Sequence, residues 1–577
     1  MTARTALGPA QREAALRQMV DQEFDILVIG AGVVGAGIAL DAATRGLSVA
    51  LVEARDYASG TSSRSSKLIH GGLRYLEQLE FGLVREALRE RSLILGRLAP
   101  HLAQPVPFLY LLTHRRWERP YAGSGIALYD VLGGRRGIPA HRHLSRRGAL
   151  RLFPGLREDA LVGAIRYYDG QVDDARHTMM LARTAHSYGA VCASSARVTG
   201  FVRAGDRITG AVVRDLEAAT EIKVRARHTI NATGVWSDEI QHMAGRQGRL
   251  KVRASKGIHL LVPRDRIRSE VGLISRTEKS VLFIIPWGSH WIIGTTDTAW
   301  DFDLAHPAAS RADIDYLLGH VNRLISPGLT FDDIEGVYAG LRPLLAGHSD
   351  ATSKLSREHA VVSPAPGLTM VAGGKYTTYR VMAKDALDAA LGDSPAQPCV
   401  TDSVPLVGAD GFAALWNARH VLAQKNGLQV DQVELLLRRY GSLIHELLDL
   451  IRADPGLARP LGGAPQHLRA EIYYAASHEG ALHLEDILAR RTRISIQSFD
   501  RGVASAREAA AIVAPVLDWD ESTIRREIEY YEARVLAERE SQTAPDDAGA
   551  DAARLSAPDV RGHLREVSVS QGGGGKD

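Results

Sequence analysis

An α/β fold is predicted by three features of the chain. Between Phe24 and about Val400, short β-branched runs alternate with helical stretches, a glycine-rich turn joins the first strand to the first helix, and helical apolar spacing takes over after Pro405. A prior of about 150 residues per domain gives roughly three or four domains for a chain of 577 residues. The formal charge of +3 is too small for this size to drive association with nucleic acid, although an anionic substrate still needs a local basic cleft.

The first 21 residues read as a flexible, partly helical leader without the apolar core and cleavage site of a signal peptide. Strand candidates follow at Asp25–Ile29, Ser48–Glu53, Arg227–Asn231, His259–Val262 and Leu368–Ala372. Phe283 to Ile293 reads as a hairpin turning at Gly288-Ser289. Apolar residues recur at helical spacing in Val430–Ala453, Leu468–Ala489 and Glu521–Glu540, which places a separate helical domain at 401–540. The Ala-, Asp-, Ser- and Gly-rich segment 541–577 reads as a disordered tail. Two uncharged runs, Ile26–Leu40 and Val281–Thr296, are too short or too broken by Gly and Pro to cross a bilayer, which takes ~20 apolar residues. The two cysteines, Cys192 and Cys399, lie too far apart in sequence for a CxxC pair and point to a reducing, cytoplasmic setting.

The glycine-rich turn carries the first chemistry. Asp25 to Ile29 runs into Gly30-x-Gly32-x-x-Gly35, a helix follows from Ala36 to Arg45 with Gly46 as its C-cap, and a second strand ends on Glu53. Gly30 permits the tight turn, Gly32 lets backbone approach a pyrophosphate, and Gly35 lets the helix pack on the strand. The helix N-terminus offers free N–H groups and a positive dipole end, and Glu53 can accept hydrogen bonds from a ribose diol. The next stretch, Ser59 to Tyr75, holds six hydroxyl residues between Ser59 and Ser66, then Lys67, His70, Gly71 and Gly72. Donors packed this close to the phosphate turn suit the pyrophosphate and flavin end of an extended FAD. Asn231-Ala-Thr-Gly234 and Gly373-Gly374 read as further small-residue turns beside the same cofactor.

With these motifs in place, the sequence resembles the aerobic, FAD-linked glycerol-3-phosphate dehydrogenases. The resemblance rests on Gly30–Gly46, Ser59–Leu76, Tyr168–Asp174, Asn231–Trp236, Gly294–Thr298, Gly340-Leu-Arg-Pro343, Gly373–Arg380, Tyr473–Glu479 and Leu484–Arg493, and spans about 22–540. It implies an FAD-binding Rossmann-type domain of the glutathione-reductase/D-amino-acid-oxidase type across 22–400. Into it is inserted an antiparallel α+β substrate domain, at about 99–165 and 251–335, and a C-terminal helical domain follows. It also implies FAD-dependent oxidation of sn-glycerol 3-phosphate to dihydroxyacetone phosphate, in glycerol metabolism.

The reaction needs a cationic anchor for the phosphate and a proton acceptor at the hydroxyl. The resemblance nominates Arg74, Tyr75, Arg342 and Lys375 as substrate contacts and His259, Arg342 and His70 as catalytic residues. Histidine suits the proton because its ordinary pKa is ~6.5. Ile258 stands where relatives commonly carry Ser. For the cofactor the expected contacts are Gly30, Gly32, Gly35, Glu53, Ser59, Thr61, Ser62, Ser66, Lys67, His70, Gly71, Gly234, Gly374, Lys375 and Thr377. No metal site is expected.

The family's usual electron acceptor is a membrane quinone. A homodimer resting on the cytoplasmic face of the membrane is therefore expected, with Pro105–Leu112 and the basic-aromatic His114–Arg119 as a candidate interfacial patch and a buried strand as the competing reading. An oxidase that uses O2 shares most of the motifs and stays open as the alternative. An amino-acid oxidase gives no reason for the Arg74, Arg342 and Lys375 cluster. A non-catalytic or RNA-modifying FAD scaffold predicts a basic surface that a charge of +3 does not supply.

Overall fold

The computed structural model describes residues 5–77, 80–114, 117–133, 138–245, 251–277, 281–345 and 359–562, with the side chains of Arg74 and Glu77 outside the described set. Two large sheets carry the architecture. The first has a parallel core in the order 368–373, 220–231, 23–29, 49–52, 191–193. Its central strands are near-continuous apolar runs because both faces are covered. Ile26 and Val28 point into one core with Ile38, Met180 and Leu387 from the helices Val33–Thr44, Asp174–Ser187 and Tyr379–Leu391. Leu27 and Ile29 point into the opposite core, with Ala15, Met19 and Val213. This alternation follows from the two-residue period of a strand.

The second sheet has ten strands drawn from 68–69, 103–172 and 252–345. Every pairing in it is antiparallel except that of Ala103–Leu112 with Gly272–Arg276, which is parallel. The hairpin predicted at Gly288-Ser289 is present, with Trp287 opposite His290 and Gly288 at φ +54°. The Arg311–Asn322 helix covers the outer face of this sheet through Ile314 and Leu317, and the inner face turns toward the first sheet.

Two expectations are corrected and two are made more specific. The leader is not flexible over its described part: Pro9–Asp21 is a helix whose Ala15 and Met19 are buried, and Arg12 bonds the carbonyls of Ser194 and Ser195 and the carboxylate of Asp215. The tail is ordered through 562. Asp547–Arg554 is a helix capped by Asp546, and Asp559 and Arg561 end in buried ion pairs with Arg55 and Asp486. Polar and small residues concealed both segments, because they are held by charge pairing rather than by an apolar stripe. Val430–Ala453 is two helices broken at Gly441, which sits at φ +57° and approaches Gly408 O so closely that a Cβ would lie 1.9 Å from it. Finally, Pro105–Leu112 is a strand of the second sheet with Phe108, Leu109 and Leu112 fully buried, which is the buried-strand reading of this stretch and not the interfacial one.

The helical region is not a free-standing unit. Its first half (Val433, Leu437, Ile444, Leu447) shares a core with the first sheet's helices, and only its second half has a core of its own around Ile472, Leu484, Ile487 and Val513. Both cysteines are unpaired thiols, and burial pushes Cys192 up to about 12. Among the described residues no helix is long and apolar enough to cross a membrane, and no cluster of His, Cys, Asp or Glu could hold a metal ion.

Candidate active site

The carboxyl ends of the parallel strands open on a cleft of about 710 Å³, where ligands bind in open α/β sheets. Gly30 starts it at φ +97°, a conformation only glycine takes without strain, and a Cβ there would lie 2.9 Å from Ala232 O. Gly35 faces away from the cleft; its Cβ would fall 1.8 Å from Gly30 O, so the helix can approach the turn only at glycine. A Cβ on Gly32 would meet only Ser62 Oγ, at 3.2 Å, which leaves this backbone open to a ligand. Ser62 accepts a hydrogen bond from Val33 N at 2.9 Å, fixing the hydroxyl loop against the helix N-terminus. Glu53 is anchored by the N–H groups of Ala31 (2.8 Å) and Arg55 (2.9 Å), while burial raises its pKa against those bonds. Ser59, Thr61, Thr233, Gly234 and Gly374 line the remaining walls. A groove with the Glu53 carboxylate at the ribose end and glycine backbone and hydroxyls at the phosphate end fits an extended dinucleotide.

The second sheet reaches the cleft at Pro343 and carries the candidate side chains His259 and Arg342, whose alignment is a matter of register. Ser255 pairs with Arg342, Gly257 with Gly340 and His259 with Tyr338. Two-residue spacing puts all six on one face. The Arg342 guanidinium lies across Gly257, where a Cβ would be 2.4 Å from Nη2, and donates to Thr295 Oγ1 (3.0 Å) and Thr296 O (3.2 Å). Asp297 stands 3.7 Å from it. His259 is 2% exposed, stacks on Tyr338 with centroids 4.7 Å apart, and bonds Ser66 Oγ through Nε2 at 2.8 Å. Its Nδ1 is buried with no hydrogen-bond partner among the described residues. Burial, reinforced by Arg342 and then Lys67, holds its pKa well below 6.5, so the ring is neutral. The unusual Ile258 points to the opposite face, into the substrate-domain core, and leaves the His259 side untouched.

The third element is the Gly373–Thr378 turn, with Gly373 and Gly374 both at positive φ. It carries Lys375 to 3.5 Å above the Tyr75 ring. A Cβ at Gly72 would clash with that ring and come within 3.4 Å of Lys375 Nζ, so Gly72 is what lets the two converge. Thr377 clamps the neighbouring loop by accepting from His70 N at 3.1 Å and donating to His70 O at 3.3 Å.

The geometry departs from expectation at three cofactor residues. Lys67 turns away from the cleft into a fully buried ion pair with Asp174 at 2.8 Å, and burial lowers its pKa. Gly71 N donates to the Tyr129 phenol oxygen at 2.7 Å, and the residue packs on Leu88. Ser66 serves His259 instead of opening to the cleft. Arg74 lies on the short helix Leu73–Glu77, and its side chain is outside the described residues. Sequence reading missed Gly257, Thr295 and Tyr338; a Gly before a β-branched run at 257 was the one available sign of close backbone approach.

Comparison with known proteins locates this architecture. Residues 25–380 match the model of the FAD dependent oxidoreductase family, and 399–524 match the C-terminal domain of alpha-glycerophosphate oxidase. The chain is 61% identical to glycerol-3-phosphate dehydrogenase 2 of Mycobacterium tuberculosis (strain ATCC 25618 / H37Rv), over 97% of this chain and 96% of that one. It is 35% identical to the human mitochondrial glycerol-3-phosphate dehydrogenase, over 93% and 77%. Among solved structures it resembles the glycerol-3-phosphate dehydrogenase of Bacillus halodurans complexed with FAD, at a TM-score of 0.76 and 29% identity, covering 92% of this chain and 97% of that one.

Proposed function

The chain belongs to the FAD-dependent glycerol-3-phosphate dehydrogenase family, and on that premise we propose that it oxidises sn-glycerol 3-phosphate to dihydroxyacetone phosphate and hands the electrons to a quinone. The observation that carries this reading is that Arg342 and a neutral His259 share one face of the second sheet, while Lys375 lines the FAD cleft on the Gly373–Thr378 turn. FAD, held by the Gly30–Gly35 turn, Glu53 and the hydroxyl loop, would supply the two-electron redox chemistry. The chain's part is position and charge. Arg342 and Lys375, with Arg74 and Tyr75, anchor the phosphate, and Arg342 offers two donors in one plane. His259 takes the hydroxyl proton, held at Nε2 by Ser66 and kept flat by Tyr338. His70, held by Thr377, orients the loop.

Transfer to a quinone requires access to the bilayer surface. Supporting it, Tyr121 and Val131 (76% exposed) stand out on the Glu118–Gly133 helix, and Trp117 (57% exposed), just before it, packs with His114 and Tyr121. Arg115 and Arg116 of the expected patch lie outside the described residues. We place the protein on the cytoplasmic face of the membrane in this reading.

The test is anaerobic mixing of the purified flavoprotein with sn-glycerol 3-phosphate, with glycerol and D-alanine as controls. Bleaching of the flavin by the phosphate ester alone is expected; an intact flavin that does not bleach would end the substrate assignment. Re-oxidation by a quinone analogue, with only slow re-oxidation in air, is the expected second step. Fast re-oxidation in air would instead establish an oxidase.

A further inference from the structure

Beside the hydroxyl loop, sharing His306 with the FAD cleft but otherwise lined by different residues, lies a second cavity of about 70 Å³. It sits between that loop, the Gly336–Leu345 strand and the helical turn Asp486–Arg491. The helices Glu521–Ser541 and Asp547–Arg554 close it. The last two helices fall mostly or wholly beyond residue 524, where the match to the C-terminal family model ends. A cavity needs only ~10–15 Å³ to hold one water, so this one has room for several waters or for one tetrahedral oxyanion.

Its lining is dominated by guanidiniums. Arg64, Arg490, Arg493, Arg534 and Arg554 face it, against the carboxylates of Glu485 and Glu538. Two of the five are matched from behind: Arg490 by Asp56 and Asp486, and Arg493 by Asp173 and Asp174. The other three are not matched so closely. Arg64 donates to a carbonyl, Ala305 O, at 3.2 Å. Arg554 is buried, 3.9 Å from Glu538, and its Nη2 meets His306 Nδ1 at 3.2 Å. Arg534 reaches Glu538 through Nη2 at 2.8 Å, but its Nε and Nη1 are buried with no hydrogen-bond partner among the described residues, Glu485 standing 3.7 Å from Nε. Burial, with Arg490, Arg534 and Arg554 adding to it against Glu485, lowers Arg64 to about 10. Buried donors of one sign without acceptors are costly unless a ligand satisfies them.

We propose that this cavity binds a small tetrahedral oxyanion of the phosphate class, as inorganic phosphate or as the phosphoryl group of a phosphomonoester, at a site separate from the substrate's phosphate anchor. The bound oxyanion accepts from Arg534, Arg554 and Arg64 and so joins the two C-terminal helices to the hydroxyl loop. That loop also carries Ser66, the partner of His259. Tyr338 lines the cavity and stacks on His259 while its hydroxyl donates to Ser65 O at 2.8 Å, so occupancy braces the proton acceptor from behind.

The first test uses crystals of the FAD-loaded full chain soaked in selenate, a phosphate-class probe located by its anomalous signal. A peak among Arg64, Arg534 and Arg554, besides any peak at Arg342 and Lys375, is the expected result; a cavity with water only overturns the proposal. Calorimetry with inorganic phosphate gives the solution counterpart. In Arg342→Gln, one equivalent of phosphate is expected to remain, and adding Arg534→Gln weakens it about tenfold or more. Loss of all phosphate binding in Arg342→Gln alone overturns the site. Methyl phosphate run in parallel separates the sources, since competition with phosphate for the remaining equivalent marks an ester-accepting site and its absence a site for the free anion. Neither readout depends on turnover, so failure of the substrate assignment leaves them intact.

Discussion

The wall of the FAD cleft from Gly30 to Glu53 meets its ligand with backbone, a capping hydroxyl and one carboxylate, whereas the seam beneath that cleft is packed with paired charges. Asp56 holds Arg490 and Arg491, Asp486 holds Arg490 and Arg561, and Asp559 holds Arg55 and His306. The two regions share Arg55, whose N–H anchors Glu53 and whose guanidinium belongs to the seam. The contrast teaches where charge is available for chemistry. In the seam nearly every carboxylate and guanidinium is occupied by another side chain, which fixes how the C-terminal helices sit. At the cleft the glycines leave backbone open, Arg342 donates to Thr295 and Thr296 with Asp297 3.7 Å away, and Lys375 stands over the Tyr75 ring.

The sharpest way to break this contrast is to fill the cleft's glycine contact. Gly35→Val puts a side chain into Gly30 O, and the purified protein is expected to carry no flavin absorbance. Flavin retained at wild-type stoichiometry would show that the turn tolerates the helix moving away. Next in size is His259→Gln, expected to lower the rate constant for flavin reduction by about 10²–10⁴ with FAD still bound. A loss of only a few-fold would move the proton acceptor elsewhere, with His70 the next to test. Because His259 is held well below 6.5, flavin reduction in the wild type is expected to show no limb near pH 6.5; a limb there that disappears in the variant contradicts its buried, neutral state.

In the seam, Asp559→Ala leaves Arg55 without its buried partner and costs about 3 kcal/mol. The expected readouts are a lower unfolding midpoint and faster flavin release, with the kinetic constants of protein still loaded unchanged. An unchanged midpoint would mean that the last described residues only rest on the cleft. The smallest effect is at His483, set between Glu527 (2.9 Å) and Glu217 (3.1 Å). Burial and Arg561 oppose its charge, but the two glutamates prevail and raise its pKa from 6.5 to about 10. Its stabilisation is therefore complete below pH 6.5 and fades as pH rises toward 10. The midpoint of the wild type should exceed that of His483→Gln by about 2 °C at low pH, and the gap should close across this window. A gap independent of pH would show that packing, not charge, is what the imidazole contributes.

Much of the cleft was legible in sequence because its constraints are local. Gly30, Gly32, Gly35 and Glu53 act within one strand–turn–helix–strand unit, where spacing along the chain is spacing in space. The hairpin at Gly288 and the strands around Ile26, Leu51 and Ile230 were legible for the same reason. Lys67 and Gly71 were misread because a basic residue and a glycine inside a donor-rich loop look alike whether they face a ligand or a core. Only Asp174 and Tyr129, each distant in sequence, decide that. Gly257 was passed over because its partner, Arg342, lies on another strand.

By itself, the sequence determined an α/β chain with a dinucleotide turn, a hydroxyl loop for FAD, a second glycine turn at Gly373-Gly374 and a helical region after Pro405. Each of these follows from residue type and short-range periodicity. The tertiary structure alone decided that His259, Tyr338, Gly257 and Arg342 share one sheet face, and that Lys375 stands over Tyr75. It also decided that segments reading as a leader and a tail are pinned by Arg12, Asp559 and Arg561. The physical reason is the same for all three. Register and ion pairing join residues hundreds of positions apart, and a buried charge reveals its partner only once the chain has folded.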